Sequence, residues 1–410
     1  MTMHRLAIAL SLLFTLTAAA SNDLRGVVVD DASAKPVAGA HVYVYTASPK
    51  IGLSAFCPSC YRDCGKKEQV DSTGTFRIEA LDPTLFFNLL AVADGYEPVF
   101  ANKVDPASGS VTIRMTPRST ADADRLVTGT VHDPEGKPVV GAIVEPNGYT
   151  IEQKVGSRTS RRTGYGEIPG LDKLSVTNAK GEFALRMPAA GGKLDVRVTA
   201  RALAPRIERT LVAGEPRKIA LMPGATISGR VLRDGQPAAG IPVKFQQQSR
   251  AAANFLGRFE IATNDDGLFV MTNLGPNETY VVSAAVDGGV VEPKIVKTGA
   301  DETSADAGVL PVERGRRIAG TIVPPEGMPT PPKTQVLLVW SQTGTSATTE
   351  AAPDGRFVFE AVQDGSATLY APLRGLTVSP RSAWFDLNEE AIIIPGEGDC
   401  LDLRVLLAEE

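Results

Sequence analysis

Short stretches in which apolar and polar residues alternate recur along the chain, separated by glycine and proline. Alternation with a period of two is typical of half-buried β-strands. Four of these stretches share an apolar-x-Gly-x-apolar pattern: Leu24-Arg-Gly26-Val-Val28, Val127-Thr-Gly129-Thr-Val131, Ile227-Ser-Gly229-Arg-Val231 and Ile318-Ala-Gly320-Thr-Ile322. A glycine inside a strand marks a bulge or a close approach of another backbone. We therefore predict four equivalent opening strands.

A Pro-x-x-Gly element follows three of these opening strands: Pro36-Val-Ala-Gly39, Pro138-Val-Val-Gly141 and Pro237-Ala-Ala-Gly240. The loop before it shortens by one residue from the first copy to the second and again to the third. Turn residues such as Pro134 and Gly136 occupy this loop, which predicts a hairpin turn between the first and second strands. The fourth copy lacks the element and carries Pro324-Pro325 and Pro331-Pro332 instead, so the pattern leaves its strand order open.

A second signature, a turn followed by Gly-x-Phe, lies downstream in every copy. The four instances are Gly74-Thr-Phe76, Gly181-Glu-Phe183, Gly267-Leu-Phe269 and Gly355-Arg-Phe357. We predict that each phenylalanine points inward and anchors a core. Each copy then closes with an alternating run, and the opening glycines recur about every 100 residues, which is the size of a complete sandwich domain rather than of a solenoid repeat.

The series Gly-x-Val, Pro-x-x-Gly-Ala-x-Val and Gly-x-Phe resembles the carboxypeptidase regulatory-like family. The resemblance covers nearly the whole chain after residue 20 and implies all-β structure: four tandem Greek-key, transthyretin-like β-sandwich domains in an elongated array, without that family's catalytic domain. The predicted boundaries are a signal peptide over 1–20, sandwiches over 21–120 (with a Cys-rich insertion), 121–223 and 224–314, and a divergent sandwich over 315–410.

The first twenty residues are predicted to be a secretory signal peptide. A basic start at Arg5 precedes an apolar run from Leu6 to Leu16, and small residues follow up to Ala20. This order is typical of a cleaved leader, and the run is short for a membrane anchor. We expect cleavage after Ala20, a secreted or periplasmic protein, and no integral membrane segment in the mature chain.

Composition narrows the function classes. The net charge is −5, and loss of Arg5 with the leader makes it −6, so the chain lacks the basic character typical of a nucleic-acid-binding protein. Gly 39 and Pro 29 are high, and only 6% of residues are aromatic, which fits many turns between short strands.

The four cysteines are Cys57, Cys60 and Cys64, in one long insertion, and Cys400 near the C-terminus. In an exported chain we favour disulfides, which hold in place a loop that has little apolar content of its own. Because three cysteines cannot all pair locally, one of them is free to reach Cys400 or a partner chain. The alternatives are a thiolate zinc site and a thiol–disulfide exchange role for Cys-Pro-Ser-Cys.

A basic and aromatic loop in the second copy is the first binding candidate, for a polyanion or an acidic glycan; the alternative is a solvated hairpin extension. Its residues are Tyr149, Lys154, Arg158, Arg161, Arg162 and Tyr165. Trp340 and Trp384 are a second candidate, since an exposed tryptophan suits sugar stacking, although a core role is favoured for them.

The histidines do not predict catalysis. His132 and Glu135 match a His-x-x-Glu metal pair, but they fall in the turn after an opening strand, and His41 lies on a predicted strand. We therefore predict no catalytic, cofactor or metal site, and an exported, non-enzymatic rod of modules that recognises a protein or carbohydrate partner and no nucleic acid. The alternatives are a redox or zinc protein acting through Cys57, Cys60 and Cys64, and an array of carbohydrate-binding modules.

Overall fold

The computed structural model describes residues 23–119, 123–155, 158–248, 255–300, 304–387 and 391–409, with the backbone alone for 153–155 and 158–160. The predicted leader and its cleavage site lie outside the described residues. The chain divides into two compact units, of which the first comprises residues up to Ala47 together with Asp63–Pro117. The second comprises Ser48–Arg62 and Arg118 to the C-terminus. Apart from two short 3₁₀ turns, Pro106–Ser108 and Ala123–Arg125, the described elements are β-strands.

The first sandwich has seven strands in two sheets. They are β1 (Leu24–Asp30), β2 (His41–Pro49), β3 (Lys67–Gln69), β4 (Thr75–Ile78), β5 (Leu85–Val92), β6 (Val99–Val104) and β7 (Ser110–Met115). One sheet has the order β4-β1-β7 and the other β3-β2-β5-β6. The chain therefore crosses between the two sheets four times, as in a Greek-key sandwich.

The second and third sandwiches repeat this plan. The second contains β8 (Leu126–His132), β9 (Ile143–Val155), β10 (Arg158–Gly164), β11 (Ser175–Val176), β12 (Glu182–Arg186), β13 (Lys193–Thr199), β14 (Arg206–Val212) and β15 (Arg217–Ala220). The third contains β16 (Ala225–Arg233), β17 (Gln236–Pro237), β18 (Pro242–Gln247), β19 (Arg258–Ala262), β20 (Leu268–Leu274), β21 (Thr279–Ala284), β22 (Lys294–Lys297) and β23 (Ser304–Val312). Their sheets have the orders β12-β8-β15 and β10-β9-β13-β14 (with β11 on β9), then β17-β16-β20 (with β23 on β16) and β19-β18-β21-β22.

The fourth sandwich keeps the plan although it lacks the Pro-x-x-Gly element. Its strands are β24 (Arg316–Val323), β25 (Gln335–Trp340), β26 (Thr345–Glu350), β27 (Arg356–Val362), β28 (Ala367–Tyr370), β29 (Leu376–Val378), β30 (Phe385–Asp386), β31 (Ala391–Ile394) and β32 (Cys400–Glu409). The sheets have the orders β27-β24-β32-β29 and β26-β25-β28-β31-β30. The four predicted opening strands are therefore equivalent.

In every sandwich the opening strand pairs antiparallel with the Gly-x-Phe strand and parallel with the closing strand. The opening glycine lies directly opposite the phenylalanine. The four pairs are Gly26 with Phe76, Gly129 with Phe183, Gly229 with Phe269, and Gly320 with Phe357. Each phenylalanine is buried, with at most 4% of its surface exposed, so the predicted inward anchors are confirmed.

The phenylalanine ring lies over the glycine in each pair. A Cβ added to Gly26 would lie 2.5 Å from the Phe76 ring, and one added to Gly229 would lie 2.4 Å from the Phe269 ring. At Gly129 the added Cβ would also meet the carbonyl oxygen of Arg217 on the parallel strand at 2.3 Å. The predicted close backbone approach is confirmed, because ring and neighbouring strand occupy the space a side chain would need.

The predicted hairpin between the first two strands is local only. Pro36, Pro138 and Pro237 pair back onto the end of the opening strand, but the next long strand lies in the opposite sheet. The physical reason is that proline has no N–H to continue a ladder, and the glycine three residues later has a positive φ, +76° at Gly39. The prediction is corrected accordingly: the element is a crossover rather than a two-strand hairpin.

Each of the second, third and fourth sandwiches has its own buried apolar cluster between its sheets. Fully buried side chains such as Phe87 and Leu89 fill the first sandwich in the same way. Within the described ranges, none of the helices has the length and apolar character needed to cross a bilayer.

Candidate functional site

The cysteine insertion contains one disulfide. Cys57 and Cys60 are bonded, with their Cα atoms 5.1 Å apart, which confirms two of the four predicted disulfide cysteines. Cys64 and Cys400 are not in disulfides, so these two disulfide candidates are corrected, and the bridge to Cys400 that the sequence left open does not form. The reason is spacing: with two residues between them, Cys57 and Cys60 close a single turn, and the Cys60 N–H donates to the Cys57 carbonyl at 2.9 Å.

The segment 48–62, hereafter the cysteine segment, packs on the third sandwich rather than on its own. The Ala262 N–H at the end of β19 donates to the Ser54 carbonyl at 2.7 Å. Cys57, only 4% exposed, belongs to the apolar cluster of the third sandwich. The hydroxyl of Thr272 on β20 donates to the Cys57 sulfur at 3.4 Å and lies 2.9 Å from the Cys60 sulfur. The disulfide therefore helps to cover this sandwich.

The outer part of the cysteine segment is held by its own side chains. The hydroxyls of Ser54 and Tyr61 lie 2.6 Å apart, and the rings of Phe56 and Tyr61 meet edge to face with centroids at 5.5 Å. Ile51 and Leu53 stay exposed. The segment thus has an ordered inner side against the third sandwich and an apolar outer side.

The two remaining thiols are unsuited to thiolate chemistry. Burial raises the pKa of the Cys400 thiol, and the Arg316 charge offsets this only in part. Cys64 is 2% exposed. Among the residues the structure describes, no group of three or more His, Cys, Asp or Glu side chains is placed to hold a metal ion.

The predicted basic loop is a long β-hairpin formed by β9 and β10, with Arg161 opposite Glu152 and Arg162 opposite Ile151. Arg161 forms an exposed ion pair with Glu152 at 3.6 Å, and Arg162 is exposed. Lys154 lies opposite Thr159, next to Arg158, and only their backbone is described. The solvated-hairpin alternative therefore describes this part of the strand pair.

Tyr149 and Tyr165 differ in burial. Tyr149 is 6% exposed and belongs to the second core, so its place among surface residues is corrected: strand alternation turns it inward. Tyr165, just after β10, is 78% exposed, and its ring lies over Gly148, where an added Cβ would be 3.2 Å away. Of the two aromatic residues, Tyr165 alone is available for binding.

Beside Tyr165 lies a polar cleft of about 320 Å³ in the second sandwich, hereafter the Glu145–Arg197 cleft. It is lined by Glu145, Pro146, Asn147, Gly166, Glu167, Leu171, Asp172, Lys173 and Arg197. Gly166 follows Tyr165 in the chain, and Gly148, under the Tyr165 ring, follows Asn147. The aromatic ring therefore flanks the cleft. The residues of the cleft come from four separate segments, so no local sequence pattern indicates it.

A β-bulge brings Asn147 to the cleft. In the pairing of β9 with β13, Asp195 lies opposite Gly148 and Val196 opposite Pro146, which leaves Asn147 as the extra residue. Such bulges re-aim a side chain without ending the strand pair. The next residue pair, Glu145 and Arg197, stays in register across the two strands.

A neighbouring irregularity between β13 and β14 is a feature of the fold rather than of the cleft. The Asp195 carboxylate accepts the N–H of Thr210, which has φ +58°, at 2.8 Å. In the first sandwich the Asn88 side chain accepts the N–H of Lys103, with φ +53°, at 2.9 Å in the same setting. The first and second sandwiches therefore both use a polar side chain to hold the backbone at this irregularity.

The charges around the cleft are largely balanced. Asp172 is buried and forms ion pairs with Arg118 at 2.7 Å and with Arg186 at 2.9 Å. Arg118 precedes the first strand of the second sandwich, and this contact fixes it to that sandwich. Glu167 and Lys173 pair at 3.0 Å on the exposed rim.

Glu145 and Arg197 are the charged residues that β9 and β13 contribute to the cleft. Burial raises the pKa of Glu145, and the charge of Arg197 opposes this effect. The Nε atom of Arg197 is buried and has no hydrogen-bond partner among the described residues. The lining of the cleft therefore offers a carboxyl group, a guanidinium group and the Asn147 amide.

The tryptophans and histidines have unremarkable positions. Trp340 is 4% exposed and belongs to the fourth core, as favoured, whereas Trp384 is 50% exposed, so the core role favoured for it is corrected. His132 ends β8, and the turn follows it, from Asp133 to Gly136. His41 is exposed on β2 beside Tyr43.

A larger cleft, of about 740 Å³, lies where residues of the third and fourth sandwiches meet. Two of its three cations are already engaged: Arg233 donates to the Asp287 carbonyl at 3.0 Å, and Arg258 pairs with Glu260 at 3.6 Å. Much of its remaining lining consists of small, apolar residues such as Ala284 and Ala285. Its other polar lining side chains include Lys244, Gln246 and Gln363.

Comparisons with known proteins add the following. No protein-family model matches the chain, and no curated protein matches it. Among solved structures, a streptococcal ancillary pilin is 11% identical, with 70% of this chain and 99% of that one covered and a TM-score of 0.24. GBS52, the minor pilin of Streptococcus agalactiae, is 15% identical over 46% and 96%, with a TM-score of 0.22. BcpA, the major pilin subunit of Bacillus cereus, is 8% identical over 72% and 100%, with a TM-score of 0.19. The fold assignment rests on the sheets of this chain.

Proposed function

We propose that the chain is an exported, non-enzymatic structural and recognition protein whose tandem β-sandwiches carry binding surfaces for a protein or carbohydrate partner. The observation that carries this proposal is the fourfold recurrence of one Gly–Phe sandwich, in register, along the chain. Copying a complete domain multiplies surface and length without assembling a reaction centre. The resemblance to carboxypeptidase regulatory-like domains belongs to the same proposal.

The cysteines support a structural role over the redox and zinc alternatives. The disulfide sits against the third core, and burial raises the Cys400 pKa, whereas thiol catalysts need a depressed one. A carbohydrate-binding role has its own supporting observation, the Glu145–Arg197 cleft beside the exposed Tyr165.

Export and thiol chemistry test the proposal together. The full-length chain is produced in a bacterial host, and the exported fraction is analysed by N-terminal sequencing, zinc content and insulin reduction. We expect a mature protein that begins at Ser21, carries no stoichiometric zinc and does not accelerate insulin reduction. One zinc per chain, catalysis of insulin reduction, or retention in the cytoplasm would each overturn the proposal. Cys57→Ser/Cys60→Ser serves as the control, since it removes any redox activity of this pair.

A further inference from the structure

We propose that the Glu145–Arg197 cleft binds a short, neutral saccharide, with Tyr165 stacked on a sugar ring. This inference rests on the proposed recognition function and gives it a ligand class. The cleft is built within one sandwich, from strands β9 and β13 and the segment between β10 and β11.

The hydrogen-bonding groups suit a ligand rich in hydroxyl groups. A sugar hydroxyl donates and accepts at once, so its site needs both kinds of partner. Glu145 supplies acceptors, Arg197 supplies donors, and the Asn147 amide supplies one of each. The Arg197 Nε–H has no partner among the described residues, which leaves a buried donor to be satisfied.

Tyr165 supplies the apolar part of the site. With 78% of its surface exposed, Tyr165 is the most exposed tyrosine among the described residues, and its ring lies over Gly148. A side chain at position 148 would displace the ring, because the space above that glycine is already filled. A flat aromatic face presented beside a polar cleft matches the two surfaces of a sugar, whose C–H face is apolar and whose rim is polar.

The charge balance selects a neutral ligand. Asp172 is neutralised by Arg118 and Arg186, and Glu167 pairs with Lys173. Inside the cleft, Glu145 faces one cation, Arg197, across the strand pair. A site for an anionic glycan needs unpaired cations, and the nearby hairpin cation Arg161 is paired with Glu152. This differs from the polyanion suggested by the sequence.

Size limits the ligand. The cleft volume of about 320 Å³ is at the small end of the range of about 300–1,000 Å³ for small-molecule sites. Because Tyr165 lies outside the cleft lining and is exposed, a chain of sugars can continue over its ring, so the end or a short stretch of a glycan is expected to enter.

The test is binding of the full mature chain to immobilised oligosaccharides of three classes: neutral hexoses, N-acetylhexosamines and uronic acids. We expect retention on an uncharged class, and a loss of about tenfold in affinity for Tyr165→Ala, the size of one stacking contact. Tyr165→Phe should retain binding, and Asn147→Ala should weaken it. Trp384→Ala is the matched control, an exposed aromatic residue away from the cleft, and should bind like the parent.

Circular dichroism of each variant verifies that it is folded. No binding to either uncharged class, binding to uronic acids alone, or equal binding by Tyr165→Ala and the parent would overturn the inference. Such a result leaves the export and thiol measurements untouched, so failure of the ligand class is distinguishable from failure of the proposed function.

Discussion

At the scale of single residues, the four opening glycines set the geometry of the protein. Each accepts a phenylalanine ring from the facing strand and a carbonyl oxygen from the parallel strand, in space where other residues carry a Cβ. The ring then fills the core of its sandwich with at most 4% of its surface exposed. Glycine and phenylalanine therefore act as one packing unit, and we expect the effects of substitutions at the two positions on stability to be coupled.

Gly129→Ala should destabilise the second sandwich by about 3 kcal/mol, the upper end of the cost of overpacking a core. The added Cβ meets the Arg217 carbonyl at 2.3 Å and the Phe183 ring at 2.7 Å. Urea unfolding followed by hydrogen exchange on β8 measures the effect.

The control for this change is Gly136→Ala, in a turn with φ +80° and no heavy atom within 4 Å of an added Cβ. It reports backbone strain alone, about 1–2 kcal/mol. Combining Gly129→Ala with Phe183→Leu should cost less than the sum of the two single changes. Strict additivity would show that ring and glycine are not coupled.

Glu145 gives the protein a pH dependence of defined sign. Burial raises its pKa above the ordinary value of 4.5, so the folded protein holds a proton that the unfolded chain releases. The contribution to stability is fully present below pH 4.5 and is lost as the pH rises through the raised pKa. Relative to Glu145→Gln, which does not titrate, the parent should be more stable at acidic pH than at neutral pH.

Hydrogen exchange of β9 and β13 in parent and variant, compared at each pH, measures this difference. Glu350→Gln, an exposed carboxyl change on β26, is the control and should show no such trend. A parent that gains stability over the variant as the pH rises would contradict the assignment.

At the scale of elements, the turns and strands were largely predictable and the crossovers were not. Opening strands and Gly-x-Phe strands follow from local alternation and from glycine at fixed places. The Pro-x-x-Gly element was predicted to close a hairpin, but it sends the chain to the other sheet, because partner choice is decided by the whole core. For the same reason, Tyr149 was misplaced: alternation predicts two faces but not which of them is buried.

The cysteine segment is the element whose position was least expected. Its inner side is fixed on the third sandwich by the Ser54 carbonyl and by the disulfide. We expect Cys57→Ser/Cys60→Ser to raise the rate of chymotrypsin cleavage after Phe56 about tenfold, as the turn loses its covalent closure. Cys400→Ser is the control with an intact disulfide. Equal cleavage rates in the two variants would argue against a role for the disulfide in docking the segment.

At the scale of the whole molecule, the disulfide and the packed cores have separate roles. A single disulfide closes a local turn, and the buried apolar clusters hold each sandwich together. The stability of each sandwich thus comes from its own packed core, a plan repeated four times along the chain.

The number of titratable thiols follows from the pairing of the four cysteines. Unfolded under non-reducing conditions, the mature protein should titrate two thiols, those of Cys64 and Cys400. In the native state both should react slowly with a thiol reagent, because Cys64 is buried and burial raises the Cys400 pKa. The Cys400→Ser variant should titrate one thiol after unfolding. A count of zero or four would contradict the observed pairing.

The sequence by itself determined that the chain is a set of four β-domains, since alternation, turn glycines and inward phenylalanines are local and recur with one period. Tertiary structure alone decided where the cysteine segment packs, which tyrosine is exposed, and that Glu145, Asn147 and Arg197 share a cleft with segments distant in sequence. The physical reason is that a strand's pattern fixes its two faces, whereas its neighbours are chosen by the packing of the entire sandwich.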